Sequence, residues 1–586
     1  MKHCLTVLLA LALAACATTG AGQSNEDIAP EAASGFAQRT SQHAQRHMAA
    51  AATTQAAEAG RWVLRQGGSA ADATIAMGIM LTLTEPQSSG IGGGAFLLHY
   101  DPKAKAVQAY DGRETAPETA TANQFQHADG TPKAFFDAMV GGLSVGVPGQ
   151  LRLFEQVHRA HGKLPWKTLF EPTIQLAEKG FPLSDRLYAL LSTDRFLAAD
   201  PNAGPYFYLP SGEPKPVGTL LVNPALADTL RQIAEHGADA FYTGPIAEDI
   251  IKTVQNARNS RGRMTLKDLA QYQSKPRSAL CRPYRTWRVC TMPPPTSGGV
   301  TTLQILGHLE AFDSARVGAD TPDAIHLYAE SSRLAYADRG LYLADPDFVS
   351  VPVDALLNRD YLRSRSKHID PAKSMGKAKA GQLGSVHRNR SPDQSLELPS
   401  TTHVVAADDS GRVVSMTASI EQAFGAHLMV RGFLLNNELT DFSFVPEKNG
   451  RPIANRIQGG KRPRSSMSPT LVFKNDTGAF HLAIGSPGGS RIIGYVTRAL
   501  IGILDGGLDV QAALSRPNVV NRNGRTEIEV FPGYEEWVGR IQAQLEALGH
   551  KVKTRSLNSG LHAILRNGEG WTGGADPRRE GVALGD

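Results

Sequence analysis

The stretch STTHVVAADDSGRVVSMTASIE, residues 400–421, decides how this chain folds. Two runs rich in Val, Ala, Ser and Thr flank the turn sequence DDSG at residues 408–411. Such a pattern is typical of a β-hairpin and predicts two antiparallel strands, the first beginning beside Thr401. Taken alone, a Thr-Thr-His sequence at a strand edge is more often structural than catalytic. The motifs that follow it therefore decide its meaning.

Three further motifs come after the hairpin in a fixed order: FLLNNELTDF at 433–442, KRPRSSMSPT at 461–470 and GSPGGSR at 485–491. This series resembles the small subunit of the γ-glutamyltransferases (glutathione hydrolases), members of the N-terminal nucleophile hydrolase superfamily. The resemblance implies an α+β fold, a four-layer αββα sandwich with two β-sheets between helical layers. It also implies that Thr401 becomes a new N-terminus and acts as the nucleophile.

The first part of the chain resembles the large subunit of the same family. GSAADA at 68–73, DGRETAP at 111–117 and MPPPTSGG at 292–299 occur in the family's order, so the resemblance spans residues 40–586. A glycine-rich run, SSGIGGG at 88–94, precedes a predicted strand. Phosphate-binding loops follow their strand, so this run predicts close backbone packing instead.

The length and charge of the chain limit the number of domains and the class of partner. A chain of 586 residues would by length alone contain about four domains. The resemblance implies instead one joint domain made of a large subunit, 41–400, and a small subunit, 401–586, which stay together as a heterodimer. The polar segment 366–399 predicts a loop before the cleavage site. A net charge of +5 without a long basic run argues against nucleic-acid binding.

The N-terminus carries an export signal. A short basic start precedes the apolar residues 5–15, which are too few to span a bilayer. The sequence LAAC at 13–16 resembles a bacterial lipobox, which predicts a signal peptide over 1–16, a lipid on Cys16 and a tether over 17–40. The alternative is an ordinary signal peptide with a chance cysteine. We expect a periplasmic lipoprotein that contacts the membrane only through its lipid.

Two cysteines remain in the body of the chain, Cys281 and Cys290. A turn at residues 285–286 would place them opposite each other across a hairpin. An exported protein can form a disulfide there, while the alternative is a pair of free thiols. Further upstream, the Ala-rich residues 43–66 predict one helix, and Ser69 is expected to cap a second.

The predicted nucleophile has a defined chemistry. An N-terminal Thr attacks through its hydroxyl, and its own α-amine, with a reference pKa of about 8, accepts the proton. An internal Thr has no such amine, so activity requires cleavage of the Ser400–Thr401 bond. The Thr401 hydroxyl can make this cut itself by attacking the Ser400 carbonyl. This chemistry needs neither a cofactor nor a metal.

The resemblance also assigns the other catalytic groups. Ser419 matches a family Thr that hydrogen-bonds the nucleophile, and strand alternation would place it on one face with Thr417 and Glu421. Gly488 and Gly489 match the family's oxyanion motif, where backbone N–H groups at a helix start stabilise negative charge.

The resemblance implies a binding site for an amino acid head group. Arg113 matches the arginine that grips the α-carboxylate of the substrate, a task suited to the two parallel donors of a guanidinium. Ser465 and Ser466 match the serine pair that helps to hold that carboxylate. Glu438 and Asp441 match the acidic residues for the α-amino group. The expected substrate is a γ-glutamyl compound such as glutathione.

Two features depart from the family pattern. Glu421 stands where many members have Asn, which adds a carboxylate to the acidic side of the site. The segment 442–460 looks shorter than the usual lid loop, and Phe444 is its only aromatic residue after Phe442. A short lid leaves the acyl-enzyme open to water, so hydrolysis is expected to dominate over transfer.

Three functions are compatible with these motifs. The first is a γ-glutamyl hydrolase or transferase. The second is an acylase of the same superfamily, of the glutaryl or cephalosporin type, against which Arg113, Glu438 and Asp441 argue because they suit an amino acid donor. The third is an uncleaved binding or structural lipoprotein, which would need neither Thr401 nor an oxyanion site.

The lipobox match leads to a prediction about location. The Cys16→Ser protein should lose its membrane fraction and stay soluble after export, because the acyl chains of the modified cysteine supply the anchor. Fractionation followed by immunoblotting measures this, with Cys4→Ser as the matched control. Unchanged membrane association of Cys16→Ser would contradict the prediction.

Overall fold

The computed structural model describes residues 35–384, 389–393, 395, 397–398 and 400–586. The predictions for the signal peptide, for Cys16 and for most of the tether fall on 1–34 and lie outside the described residues. Within the described residues, no helix has the length and apolar character that crossing a membrane requires.

Two seven-stranded sheets form the centre of the molecule, and all neighbouring strands within them run antiparallel. The first sheet has the order Val582–Gly585, Met48–Ala51, Thr402–Ala407, Val413–Ser419, Gly94–Asp101, Ala106–Gly112 and Lys275–Ser278. The second sheet has the order Gln42–Ala44, Gly570–Ala575, His562–Asn567, Phe480–Gly485, Thr470–Lys474, Trp287–Thr291 and Leu280–Tyr284.

Four smaller sheets are formed by other strands of the described residues. They are the three strands Val519–Asn521, Thr526–Glu529 and Val552–Arg555, and the pairs Met429–Val430 with Phe433–Leu434, Glu447–Lys448 with Arg451–Pro452, and Phe181–Pro182 with Leu220–Leu221.

Helices cover the outer face of each sheet. The α-helices are Thr54–Arg65, Ala70–Thr84, Phe135–Met139, Gln150–His161, Glu171–Lys179, Asp185–Thr193, Ala203–Phe207, Pro224–His236, Asp239–Tyr242, Gly244–Gln255, Leu266–Ala270, Gly298–Leu309, Ser314–Gly318, Pro322–Tyr342, Val353–Leu356, Arg359–Ser366, Ile492–Leu504, Val510–Leu514 and Glu535–Ala547. Ala70–Thr84 packs on the first sheet, whereas Gly298–Leu309 and Ile492–Leu504 pack on the second. The predicted αββα sandwich is confirmed.

The hairpin 402–419 lies in the middle of the first sheet, with Thr402 paired with Ala418 and Ala407 with Val413. Both of its faces are buried. Val404 and Ala406 pack in the core under the first helical layer, and Val405 and Ala407 pack in the core between the two sheets. A strand buried on both faces needs apolar residues at successive positions, which explains the run from 404 to 407.

The prediction for residues 43–66 is partly wrong. Gln42–Ala44 and Met48–Ala51 are strands, and the helix begins only at Thr54, where the Thr53 side chain caps it. Met48–Ala51 pairs with Thr402–Ala407 and with Val582–Gly585. Alanine favours a helix locally, but pairing with strands from distant parts of the chain overrides that preference.

Other local predictions are confirmed. Ser69 caps the second helix, accepting from the N–H of Asp72, whose carboxylate accepts in turn from the N–H of Ser69. Cys281 lies opposite Cys290 in a hairpin, and a disulfide with an S–S distance of 2.06 Å joins them. Close packing at the glycine-rich run is real as well, because a Cβ on Gly93 would lie 2.1 Å from the carbonyl oxygen of Ser419.

Candidate active site

Thr401 directly precedes the first strand of the central hairpin and is buried, at 3% exposure. Its hydroxyl contacts the carbonyl oxygen of Ser400 and lies 3.3 Å from the hydroxyl of Ser419. The Ser419 oxygen also accepts from the N–H of Glu421 at 2.8 Å. The predicted nucleophile thus lies directly against the bond that it is expected to cut.

One cavity brings the predicted site residues together. It is lined by Arg113, Glu397, Leu398, Ser400, Thr401, Ser419, Glu421, Glu438, Asp441, Ser465, Ser466, Met467, Gly489 and Ile492. Gly488, the one predicted site residue outside this lining, directly precedes Gly489. The strand alternation proposed for Glu421 is wrong, because the strand ends at Ser419 and Glu421 has a φ of 76°. Glu421 nevertheless reaches the cavity from the turn.

The residues predicted to bind the two charges of the substrate form ion pairs with one another. Arg113 donates to Glu438 and Asp441 through its two terminal nitrogens. It also donates to the carbonyl oxygens of Pro463 at 3.2 Å and Arg464 at 3.1 Å, and its Nη1 lies 3.8 Å from the buried carboxylate of Glu114. Buried arginines usually have such partners, because an unpaired charge in a low-dielectric interior is costly. The guanidinium therefore holds the two carboxylates in fixed positions.

The acidic side of the cavity is crowded. Glu421 accepts from the side-chain amide of Asn437 at 2.8 Å and from the N–H of Leu398 at 3.3 Å. Burial, followed by the charges of Asp441 and Glu438, raises the pKa of Glu421 well above its usual range. Burial likewise raises the pKa of Asp441, although Arg113 opposes it. Carboxylates held this close attract a cation, such as an ammonium group.

Residues before the predicted cut also line the cavity. We call Glu397, Leu398 and Ser400 the pre-cleavage segment. The carbonyl oxygen of Leu398 lies against Gly489, 2.4 Å from where a Cβ would be. The Ser400 hydroxyl donates to the carbonyl of Gln87 at 2.8 Å. The segment therefore forms part of the cavity wall beside Thr401 and Gly489.

The predicted oxyanion loop has the backbone that its glycines allow. Gly488 has a φ of 133° and Gly489 a φ of 56°, conformations that side-chain-bearing residues rarely adopt. Residues Gly489–Arg491 form a 3₁₀ turn that continues into the helix Ile492–Leu504. The loop thus lies at a helix N-terminus, which favours negative charge.

Several residues around Thr401 were not predicted from the sequence. Arg579 donates to the carbonyl oxygen of Thr401 at 3.2 Å from the far end of the chain. Arg339 and Arg464 bind the carboxylate of Glu397. Arg464 stands inside the KRPRSSMSPT motif, so its charge was a usable signal. Arg339 belongs to the long helix Pro322–Tyr342, and no local pattern distinguishes it.

One cluster has ligand types suited to a metal, namely His326, Glu330 and His550. Its atoms are already hydrogen-bonded. The carbonyl of Asp370 can only accept from His326 Nε2, so His326 Nδ1 accepts from His550 Nε2 at 2.7 Å. Arg333 also donates to Glu330 at 2.8 Å. The cluster is a closed hydrogen-bond network away from Thr401.

Comparison with known proteins agrees with this geometry. The family model described as "Gamma-glutamyltranspeptidase" matches residues 56–586. The chain belongs to the γ-glutamyltranspeptidase family. The "Glutathione hydrolase proenzyme" of Bacillus subtilis (strain 168) is 37% identical over 550 residues, which covers 92% of this chain and 91% of the relative. The match therefore includes both the large and the small subunit regions.

Solved structures give the same fold. The cephalosporin acylase from Bacillus halodurans superposes with a TM-score of 0.80 at 26% identity, covering 94% of this chain and 97% of that chain. The Helicobacter pylori γ-glutamyltranspeptidase superposes with a TM-score of 0.53 at 35% identity, covering 58% of this chain and 95% of that chain. The γ-glutamyltranspeptidase family and an acylase thus share this architecture, so the site must distinguish their substrates.

The contact between Thr401 and Ser400 leads to a prediction about maturation. The purified protein should separate into chains of about 41 and about 20 kDa, the smaller beginning at Thr401, once the signal is removed. Thr401→Ala should remain one chain because it lacks the attacking oxygen, while Thr401→Ser should still be cut. Intact mass and N-terminal sequencing measure this.

Thr402→Ala is the matched control for the Thr401 variants. Thr402 is a buried neighbour of the same residue type, but its hydroxyl has no role in the proposed cut. The Thr402→Ala protein should therefore be cut into two chains like the wild type. Two chains from Thr401→Ala, or a mature N-terminus elsewhere, would contradict self-cleavage.

Proposed function

We propose that the chain is a self-processed γ-glutamyl hydrolase and transferase acting on glutathione and related γ-glutamyl compounds. The observation that carries this proposal is the placement of the Thr401 hydroxyl against the Ser400 carbonyl, in a cavity shared with Arg113, Glu438 and Asp441. The family match and the name of the Bacillus subtilis relative support it.

The reaction follows from the groups around Thr401. After maturation, the Thr401 oxygen attacks the γ-carbonyl carbon of the donor, and its proton passes to the new α-amine. Backbone N–H groups of Gly488 and Gly489 stabilise the oxyanion. The α-ammonium then protonates the departing amine, which leaves a γ-glutamyl ester on Thr401. Water or an acceptor amine opens this ester and restores the free hydroxyl.

The acidic side of the cavity selects the donor. Glu421, Glu438 and Asp441 form a cluster beside Thr401 that favours a positively charged group. A γ-glutamyl donor has an α-ammonium, whereas a glutaryl donor of the acylase type has a methylene group there. Arg113 supplies one positive charge for these three carboxylates. A second positive charge, the α-ammonium, offsets the cost of burying the others, so the γ-glutamyl donor is preferred.

We further propose that the protein is exported and anchored by a lipid on Cys16, with both subunits held together after cleavage. The LAAC sequence at 13–16 supports the anchor. Interleaving of strands supports the heterodimer, because Met48–Ala51 from the first part of the chain pairs with Thr402–Ala407 from the second.

Donor selectivity tests the function. The processed protein should cleave L-γ-glutamyl-p-nitroanilide with a kcat/KM at least about 100-fold above that for glutaryl-p-nitroanilide, because only the first pairs with the carboxylates. Asp441→Asn should lower kcat/KM for the γ-glutamyl donor and leave the glutaryl donor nearly unchanged. Release of p-nitroaniline measures both rates. A preference for the glutaryl donor would identify an acylase instead.

The fate of the acyl-enzyme is a separate prediction. The strands Glu447–Lys448 and Arg451–Pro452 of the predicted lid segment are exposed, and Phe444 packs on Phe125 with ring centres 4.7 Å apart. With so small a lid, hydrolysis should exceed transfer at neutral pH. Product analysis with rising glycylglycine measures the ratio, and γ-glutamyl dipeptide as the main product would contradict this.

The Glu421→Asn variant separates two causes of that ratio. If the extra carboxylate sets the ratio of hydrolysis to transfer, this variant should increase transfer. If the lid sets it, the ratio should stay unchanged. Glu447→Gln, an exposed carboxylate in the lid segment, serves as the control.

A further inference from the structure

The oxyanion loop, residues 488–491, is held by side chains from distant parts of the chain. Its two glycines have left-handed backbones, a region in which glycine has little preference for one conformation, so contacts of their neighbours must fix the loop. The Ser490 hydroxyl accepts from Arg522 Nη1 at 2.9 Å. The carbonyl oxygen of Ser490 accepts from the hydroxyl of Tyr336 at 2.5 Å. Both bonds hold the residue that directly follows Gly489.

An ion pair holds the end of the loop. The Arg491 guanidinium donates through Nε to Oε2 of Glu527 at 2.7 Å and through Nη2 to Oε1 at 2.8 Å. Arg491 is 1% exposed and Glu527 is 3% exposed. Two parallel charge-assisted bonds fix both the distance and the orientation of the two groups. The loop is thus held at two successive residues, Ser490 and Arg491.

Glu527 is shared by three arginines. Besides Arg491, Arg555 Nη1 donates to its Oε1 at 2.7 Å, and Arg522 Nη2 lies 3.6 Å from its Oε2. Burial alone would raise the pKa of Glu527, but Arg522 and Arg491 outweigh burial and lower the pKa to about 2. Burial, followed by the charge of Arg491, lowers the pKa of Arg522 to about 10. Glu527 and Arg522 are therefore both ionised at neutral pH.

These supports come from a part of the fold that the proposed reaction does not otherwise use. Glu527 belongs to the strand Thr526–Glu529, and Arg522 lies in the turn that joins this strand to Val519–Asn521. Among the described residues that line the cavity at Thr401, neither Glu527 nor Arg522 occurs. An effect of either side chain would therefore reach the reaction through the loop.

We propose that Arg522 and Glu527 are positioning residues, which hold the oxyanion loop so that its backbone N–H groups point at the oxyanion formed in the reaction. The inference rests on the proposed γ-glutamyl function and adds residues outside the cavity to it. Donors that are fixed in advance stabilise an oxyanion without reorganisation during the reaction. Loosening the loop should therefore slow the chemical step and leave the binding of the donor nearly unchanged.

Two donors that differ only in the atom at the oxyanion position test this assignment. They are L-γ-glutamyl-p-nitroanilide and its γ-thioanilide analogue, in which sulfur replaces the γ-carbonyl oxygen. Sulfur is a weak hydrogen-bond acceptor, so the loop contributes less to the reaction of the second donor. In processed Arg522→Met, kcat for the oxygen donor should fall about 10- to 100-fold while KM changes less than about 3-fold. The loss of kcat for the sulfur donor should be at least about 5-fold smaller.

A second variant and a control complete the design. Ser490→Ala removes the hydroxyl that Arg522 binds and leaves every charge in place, so it disturbs folding and self-cleavage less. It should lose about 10-fold in kcat on the oxygen donor and less on the sulfur donor. Arg498→Met is the control, because it removes a buried arginine from the helix Ile492–Leu504, which follows the loop, and this arginine pairs with Asp320. Its effect should be equal on the two donors.

The outcomes separate the positioning role from the function on which it rests. Equal losses on the two donors in Arg522→Met and Ser490→Ala, or no loss in either variant, would overturn the positioning role and leave the proposed function intact. A higher KM with unchanged kcat would also overturn it, because lost donor binding would then be the cause. If Arg522→Met stays uncut, Ser490→Ala decides. If processed wild-type protein does not cleave L-γ-glutamyl-p-nitroanilide, the proposed function itself fails.

Discussion

The contact between the Thr401 hydroxyl and the Ser400 carbonyl is the constraint on which the rest of the structure depends. It exists because Thr401 stands at the first position of the hairpin that runs through the middle of the first sheet. Core packing on both faces of that hairpin fixes its register, and a shift by one residue would turn Thr402 toward the place of Thr401. In the proposed function, the sandwich positions this one oxygen for two successive reactions, maturation and turnover.

Charge is balanced within the uncut chain. Glu397 pairs with Arg339 and Arg464. On the other side of the cavity, Arg113 pairs with Glu438 and Asp441. Buried charges of this kind tolerate folding only when they are paired. These ion pairs therefore offset the cost of burying the charges beside Thr401.

The shared fold with an acylase shows that the architecture and the substrate preference are separate properties. The sandwich, the nucleophile and the oxyanion loop are independent of what the donor has at its far end, so an acylase shares this fold with a TM-score of 0.80. In the proposed function, the charged side chains of Arg113, Glu438 and Asp441 distinguish the γ-glutamyl donor from a glutaryl donor. A shared architecture therefore does not identify the substrate, and the proposal rests on the charges that line the cavity.

The sequence by itself determined much of this protein. The hairpin at 402–419, the Cys281–Cys290 pairing and the Ser69 cap follow from local rules, because turns, cross-strand neighbours and caps involve residues close in the chain. Thr401, Gly488 and Gly489 were found through ordered motifs. Only the tertiary structure decided that Met48–Ala51 is a strand, since its partners lie hundreds of residues away. It alone brought Arg339 and Arg579 to the site, because a charge in a helix or near a chain end has no local signature of its partner.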